Sequence, residues 1–370
     1  MMRSKALVVC SAVLFSILFG FSPVSFAGDA LFRWEKNDLA ATLYDGDQIV
    51  FSFQYAFIDH APLVPVGEPR RFAGDYLYPL NGLDGENLTD NAPKDHYHHH
   101  GVFWTWPGVF VHDNDGSTKT YDLWTSNTPI RQRFVKFLAC EVNDDVATLS
   151  VENGWYVDGK STTPDEELDA SKKGETIADN EKFYGDKIVR EIVTITTRPA
   201  GTFEGVACRS IDVELTLIPT ERPISLQGAE KKSYGGLTIR FRPVGEIGKD
   251  RFITTDEGVA KDDMPEKSLR WADYTSRFGA LDEATGEPTA LSGAAIFLSP
   301  NFPDFPPTWL TRYYGPLCVG FPGVVAKRFE VGKPIVMKAR IWEHKGLVST
   351  EVLKKAFEEW AVSERTEEDK

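Results

Sequence analysis

The chain has 370 residues, 42% of them hydrophobic and 26% charged, with 55 acidic against 41 basic side chains and a formal net charge of −14. Such a surface repels nucleic acid and anionic lipid, so neutral or cationic partners fit the chain as a whole better. After the first 27 residues no stretch approaches 18 uninterrupted apolar positions, which excludes a spanning helix in the remainder.

The chain opens with Met1-Met2-Arg3-Ser4-Lys5, continues through an apolar stretch from Ala6 to Phe21, and reaches Ser25-Phe26-Ala27 before Gly28. That order is a basic region, an apolar region and a small-x-small cleavage site, so residues 1–27 are expected to be a secretory signal peptide and the rest an exported periplasmic or extracellular protein. Cleavage removes Arg3 and Lys5, leaving 39 basic against 55 acidic residues, or −16. No Pro/Ser-rich linker divides residues 28–370, which are expected to form one domain.

Alternation of period two recurs at Gln48–Phe53, Val146–Val151, Lys187–Thr196 and Ile211–Leu217, with similar runs at Gly236–Arg242 and Pro334–Trp342. These β-branched runs, parted by Gly, Pro, Asn and Asp, predict an all-β protein built as a large antiparallel β-sandwich. Residues at about 158–186 crowd charged and small side chains without apolar periodicity and predict a polar surface insertion. Thr350 can cap a C-terminal helix at about 350–363, whose stripe is Val352, Leu353, Ala356, Phe357, Trp360 and Ala361. Cys140, Cys208 and Cys318 lack metal-type spacing; one disulfide with one free thiol is compatible with export, but buried apolar roles suit a fold of this size better.

Four of the seven histidines lie in Asp95-His96-Tyr97-His98-His99-His100-Gly101, followed by Trp104 and Trp106. In an extended chain His96, His98, His100, Trp104 and Trp106 would share one face and His99 the other. Three readings compete. Imidazoles titrate near neutral pH and can act as general acid or base, with the tryptophans as a stacking platform for a sugar ring. Alternatively His96 and His98, at H-x-H spacing, ligate a divalent metal with a third ligand from elsewhere. In the third, the histidines satisfy backbone groups in turns and the tryptophans fill core. No cofactor is expected unless the metal reading holds.

The histidine segment resembles the D-H-x-H-H-R-G motif of a bacterial exported family catalogued as "methane oxygenase PmoA". Tyr78-Pro79-Leu80-Asn81-Gly82, Tyr234-Gly235-Gly236-Leu237-Thr238-Ile239-Arg240, Arg270-Trp271-Ala272-Asp273-Tyr274 and Ala295-Ile296-Phe297 are similar to further blocks of that family. So is Pro307-Thr308-Trp309-Leu310-Thr311-Arg312-Tyr313-Tyr314-Gly315, beside its P-T-x-W-x-x-R-D-Y-G block. Two positions depart: the family's arginine is His100 here, and its aspartate is Tyr313, so a guanidinium or carboxylate role at those places is not available to this chain. The name fits poorly, because the membrane methane monooxygenase subunit crosses the bilayer several times and residues 28–370 hold no such span. More distantly, the family resembles galactose-mutarotase-like β-supersandwich proteins, which implies an enzyme acting on sugars: an epimerase, lyase or hydrolase.

Epimerase-like chemistry needs an imidazole acid and a carboxylate base around a sugar ring. The candidates are His98 or His99 as acid and Glu343 as base, with His96, Trp104, Trp106, Arg240, Arg312, Tyr314 and His344 binding substrate. In a strand Glu343 and His344 face opposite ways, so one pocket can receive only one of them. A non-catalytic glycan-binding protein is the alternative in another class. No G-x-S-x-G elbow, phosphate-cradling G-x-x-x-x-G-K-[ST] or dinucleotide G-x-G-x-x-G setting is present, so serine-hydrolase, nucleotide and dinucleotide chemistry have no support.

Overall fold

A computed structural model describes residues 32–61, 63–68, 71–125, 128–159, 184–278 and 290–368. The expected signal peptide and most of the expected insertion lie outside them. Among the described residues the strands form two large antiparallel sheets and two small ones, and one helix closes the chain. The period-two runs become strands that extend past their predicted ends: Gln48–Gln54, Val146–Asp158, Gly185–Thr197, Val206–Pro219 and Ile335–Lys345. Gly236–Arg240 stops two residues short of its expected end.

The nine-stranded sheet has the spatial order Phe32–Lys36, Ala40–Asp45, Gln48–Gln54, Tyr76–Leu80, Val102–Thr105, Gly236–Arg240, Pro316–Gly320, Thr308–Thr311, Met264–Ser268. The ten-stranded sheet is centred on Gly185–Thr197, Val206–Pro219, Ile335–Lys345 and Leu291–Leu298 in that order. Alternate residues of both sheets enter one apolar cluster: Leu43, Phe51, Phe53 and Trp104 from the first, Val151, Ile195, Leu215 and Ile341 from the second. This shared core makes the two sheets a sandwich, because each strand turns its apolar set inward and its polar set out.

Each sheet also has a covered outer face. On the ten-stranded sheet, Trp271, Phe297 and Trp342 pack against Leu353, Phe357 and Trp360 of the helix Thr350–Glu368. The cap of that helix is Ser349, not Thr350 as expected: Ser349 Oγ accepts from Val352 N at 3.4 Å and its carbonyl from Leu353 N at 3.1 Å. On the nine-stranded sheet, Tyr76, Phe103, Leu310 and Cys318 point outward and are covered by loop residues including Trp124. That second face carries the histidines.

Candidate active site

The histidine segment is not extended. It forms two successive turns, His96 N donating to Pro93 O at 2.9 Å and His99 N to His96 O at 3.0 Å, and Ala92 N returns to His99 O at 2.8 Å. Gly101 closes the motif with φ 50°, and a Cβ there would collide with Leu77 O, so only glycine fits. The base of the loop is tied into the sheet by Gly101 N to Asp90 O at 2.8 Å and Arg240 N to Gly101 O at 2.7 Å. These turns break the alternation expected for the segment and raise His96, His98 and His99 over the outer face of the nine-stranded sheet.

The segment Arg312-Tyr313-Tyr314-Gly315 is the tight turn between strands Thr308–Thr311 and Pro316–Gly320, closed by Gly315 N to Arg312 O and Arg312 N to Pro316 O, both 2.9 Å. It brings Tyr314 parallel to His96, ring centroids 5.1 Å apart at 7°, while His99 lies parallel to the same imidazole at 4.7 Å and 10°. Asp95 Oδ2 is 3.0 Å from His96 Nδ1, and both Asp95 oxygens accept from Arg240 Nη2 at 2.9 and 3.0 Å. Burial alone would raise the Asp95 carboxyl, but the bonds to His96 and the charge and bonds of Arg240 outweigh it and hold it below the ordinary range.

A cavity of about 230 Å³ is lined by His96, His98, His99, Trp124, Lys232, Tyr234, Arg312 and Tyr314, floored by Leu310, Pro316 and Cys318. Trp124 and Tyr234 face each other at 4.6 Å, and His98 lies 6.0 Å from Trp124 and 5.6 Å from His96 between ring centroids. A dry cavity of ~150 Å³ accommodates benzene, and drug-sized ligands need ~300–1,000 Å³, so this space suits one six-membered ring. Behind His98 and Trp124, a second space of about 50 Å³ touches Tyr76, His100, Phe103 and Gln132. At ~30 Å³ per water it has room for solvent and not for a second ring.

The residues expected at the site are therefore divided. His96, His98, His99, Arg312 and Tyr314 meet in one cavity, and Arg240 adjoins it, its guanidinium carbon 4.8 Å from the Tyr314 ring centre. His99 is almost fully buried, and burial followed by the neighbouring charges lowers its basicity well below the ordinary range; it is neutral at neutral pH and unsuited to be the acid. Trp104 and Trp106 are not a platform. Both side chains are inside the sandwich, Trp104 Nε1 on Glu191 at 3.0 Å and Trp106 Nε1 on Phe321 O at 2.6 Å. Trp124 takes the cavity position instead.

Glu343 and His344 do face opposite ways, as alternation requires, but neither reaches the cavity because their strand belongs to the ten-stranded sheet. Glu343 is fully buried on the inner face, accepting from Arg209 Nε at 2.7 Å, and burial followed by the Arg209 charge sets its carboxyl at about 7. His344 faces the helix side, its Nε2 2.8 Å from Asp273 Oδ1 and its Nδ1 3.1 Å from Gly346 O. Gly293 leaves room for it: a Cβ there would come 2.6 Å from Tyr274 O and 2.7 Å from His344 Nε2. Gly293→Ala is accordingly expected to cost about 1–3 kcal/mol by overpacking, read as a lower urea midpoint; an unchanged midpoint would show that this face yields freely.

The two departures from the family motif fall away from the cavity. His100 is buried, its Nδ1 2.7 Å from Asn91 Oδ1 and its ring 4.6 Å from that of His60. The Tyr313 hydroxyl donates to Ala260 O at 2.6 Å, and Asp263 supplies a carboxylate nearby, accepting from Tyr313 N at 2.7 Å and Arg312 Nη1 at 3.1 Å. Sequence reasoning missed Asp95, Trp124, Lys232 and Tyr234. Asp95 and Tyr234 stood inside quoted motifs, whereas Trp124 and Lys232 sit in irregular loops with no periodic signal.

Among the described residues no three His, Cys, Asp or Glu side chains are grouped to hold a metal ion. Cys140, Cys208 and Cys318 are free thiols, and burial raises Cys318 to about 11. A larger groove of about 360 Å³ between the helix and the strand Val206–Pro219 contains no imidazole. Its Arg198 and Arg340 are both bonded to Asp212.

No curated protein matches the sequence. Solved structures similar to the chain include one titled a polysaccharide lyase, at 8% identity and TM-score 0.30 over 88% of this chain and 34% of that one. Another is a galactose mutarotase related enzyme from Lactobacillus acidophilus, at 8% identity and TM-score 0.32 over 86% and 99%. The chain spans about a third of the length of that lyase. Neither these names nor the family description mentions a methane oxygenase. A family model matches residues 40–358, and the chain belongs to that family, described as a family of unknown function (DUF6807).

Proposed function

We propose that the protein is an exported carbohydrate-active enzyme that binds one sugar ring in the histidine cavity and moves protons with His96 and His98. The observation that carries this reading is the placement of both imidazoles in a ring-sized space walled by Trp124, Tyr234 and Tyr314. Aromatic faces pack on the C–H face of a sugar, while Lys232, Arg312 and the tyrosine hydroxyls reach its oxygens. His96, beside the Asp95 carboxylate, is the base; His98, at the junction with the solvent-sized space, returns the proton. The expected signal peptide, read from residues 1–27, puts this surface where external glycans are met.

The test is turnover on a panel of mono- and oligosaccharides. Wild-type protein is expected to form product, His96→Ala and His98→Ala each to lose about 10²–10⁴-fold in kcat, and Trp124→Ala to raise KM chiefly. Sugar binding without turnover, untouched by either histidine change but lost in Trp124→Ala, would instead identify a glycan-binding protein.

A further inference from the structure

The ionisable lining of the cavity is one-sided. Lys232 and Arg312 reach it together with the histidines, and no carboxylate is among its lining residues. The acids bonded to its walls, Asp95 and Asp263, are each already held by a guanidinium, of Arg240 and Arg312 respectively. Arg240 is itself buried, and among the described residues its Nε and Nη1 have no hydrogen-bond partner while Nη2 serves Asp95. Counting Asp122, whose charge acts on Tyr234, three acids and three cations surround the cavity, but the two cations that line it, Lys232 and Arg312, face no lining carboxylate, in a chain whose formal charge is −14. A lysine and an arginine that reach a cavity with no carboxylate in its wall favour an anionic group there, whatever the net charge of the whole molecule.

The loop that presents Lys232 is built at a conformational cost. Lys231 and Ser233, on either side of it, have φ of 63° and 54°, a region non-glycine residues rarely occupy. The strained stretch is held by Ser233 N to Ala229 O and Ala229 N to Tyr234 O, both 2.8 Å, and Ser233 is buried. Strain of this kind persists where the surrounding structure fixes it, and it clusters where a side chain must be aimed. Here it aims Lys232 and Tyr234 at the same cavity.

We infer that the ring bound in this cavity carries a carboxylate, so that the substrate class is a uronic acid and not a neutral hexose, with Lys232 and Arg312 receiving the charged group. The inference rests on the proposed sugar-binding function. Arg312 uses Nη1 on Asp263 and keeps its other N–H groups, enough for a carboxylate contact beside the Lys232 ammonium.

Calorimetric titration of the full chain with D-glucuronate and D-galacturonate, against D-glucose and D-galactose, tests it. At least one uronate is expected to bind about tenfold tighter than its neutral counterpart, the scale of one charge-assisted hydrogen bond, with the advantage shrinking as salt rises. Lys232→Gln should bring the ratio toward one, whereas Lys333→Gln, an exposed lysine outside the cavity, should keep it. Equal or tighter binding of the neutral sugars overturns the inference and leaves the sugar-binding reading standing. Failure of all four sugars to bind folded protein overturns both. A preference that survives Lys232→Glu and Arg312→Gln overturns the assignment of the carboxylate to these two residues.

Discussion

Replacement of Glu191 by alanine is expected to destabilise the protein by at least about 4 kcal/mol, out of the ~5–15 kcal/mol typical of a folded domain. Glu191 is fully buried in the sandwich core, and among the described residues no cation pairs with it. Four neutral groups donate to it: Trp104 Nε1 at 3.0 Å, Trp155 Nε1 and Asn153 Nδ2 at 2.8 Å, and Gln132 Nε2 at 2.8 and 2.9 Å. Trp104 belongs to the nine-stranded sheet and the other three to the ten-stranded sheet, so this carboxylate joins the two layers. Burial raises its pKa, and the donors oppose that rise. Without the acceptor each donor is left buried and unsatisfied, at about 1–3 kcal/mol apiece, part of which water entering the vacated space recovers. Glu191→Gln is expected to cost less, since its carbonyl still accepts while its NH₂ opposes a donor. Urea unfolding gives the difference, and a loss below about 1 kcal/mol for the alanine variant would show that the donors find other partners.

Glu191 also marks what the sequence could reveal. It lies in the run Lys187–Thr196, where alternation places it on the apolar face beside Val189 and Val193, a local conflict with no sequence signal for its resolution. The donors that satisfy it come from three other strands and depend on pairing that no single stretch encodes. Layering, strand identity and the terminal helix were legible because period and composition are local properties. The cavity was legible only in its histidines and in Arg312 and Tyr314. Gly101 at positive φ and the turns at Pro93–His99 reset which way each side chain points, and that moved Trp104 and Trp106 from an expected platform into the core. Glu343 and His344 were misplaced for a different reason: their strand carries the right residue types but enters the other sheet.

Acidification from pH 7 to 4.5 is expected to lower the unfolding free energy. Three buried histidines drive this: burial brings His60 down to about 4 and His99 and His100 well below the ordinary value. A folded-state pKa below that of the unfolded chain means that the unfolded chain takes the proton first, so this stability is complete above pH ~6.5 and drains away as pH falls. For His60 the loss approaches about 3 kcal/mol near pH 4. Glu343 acts with the opposite sign. Its folded pKa of about 7 lies above the ordinary 4.5, so it contributes fully below pH ~4.5 and loses about 3 kcal/mol as pH rises through 7. His60 and Glu343 therefore nearly cancel across the window, and the sign of the whole is set by His99 and His100 against the raised Glu191. Two deeply depressed imidazoles outweigh one carboxyl. Asp95 and Asp212, held below the ordinary carboxylate range, add nothing until more acid conditions. Urea unfolding at pH 7.0, 6.0, 5.0 and 4.5 measures the trend. His100→Gln should flatten it by removing one of the depressed groups, whereas Glu343→Gln should steepen it by removing the compensating one. A wild-type stability that rises on acidification would mean that the histidine loop opens to solvent before its imidazoles charge.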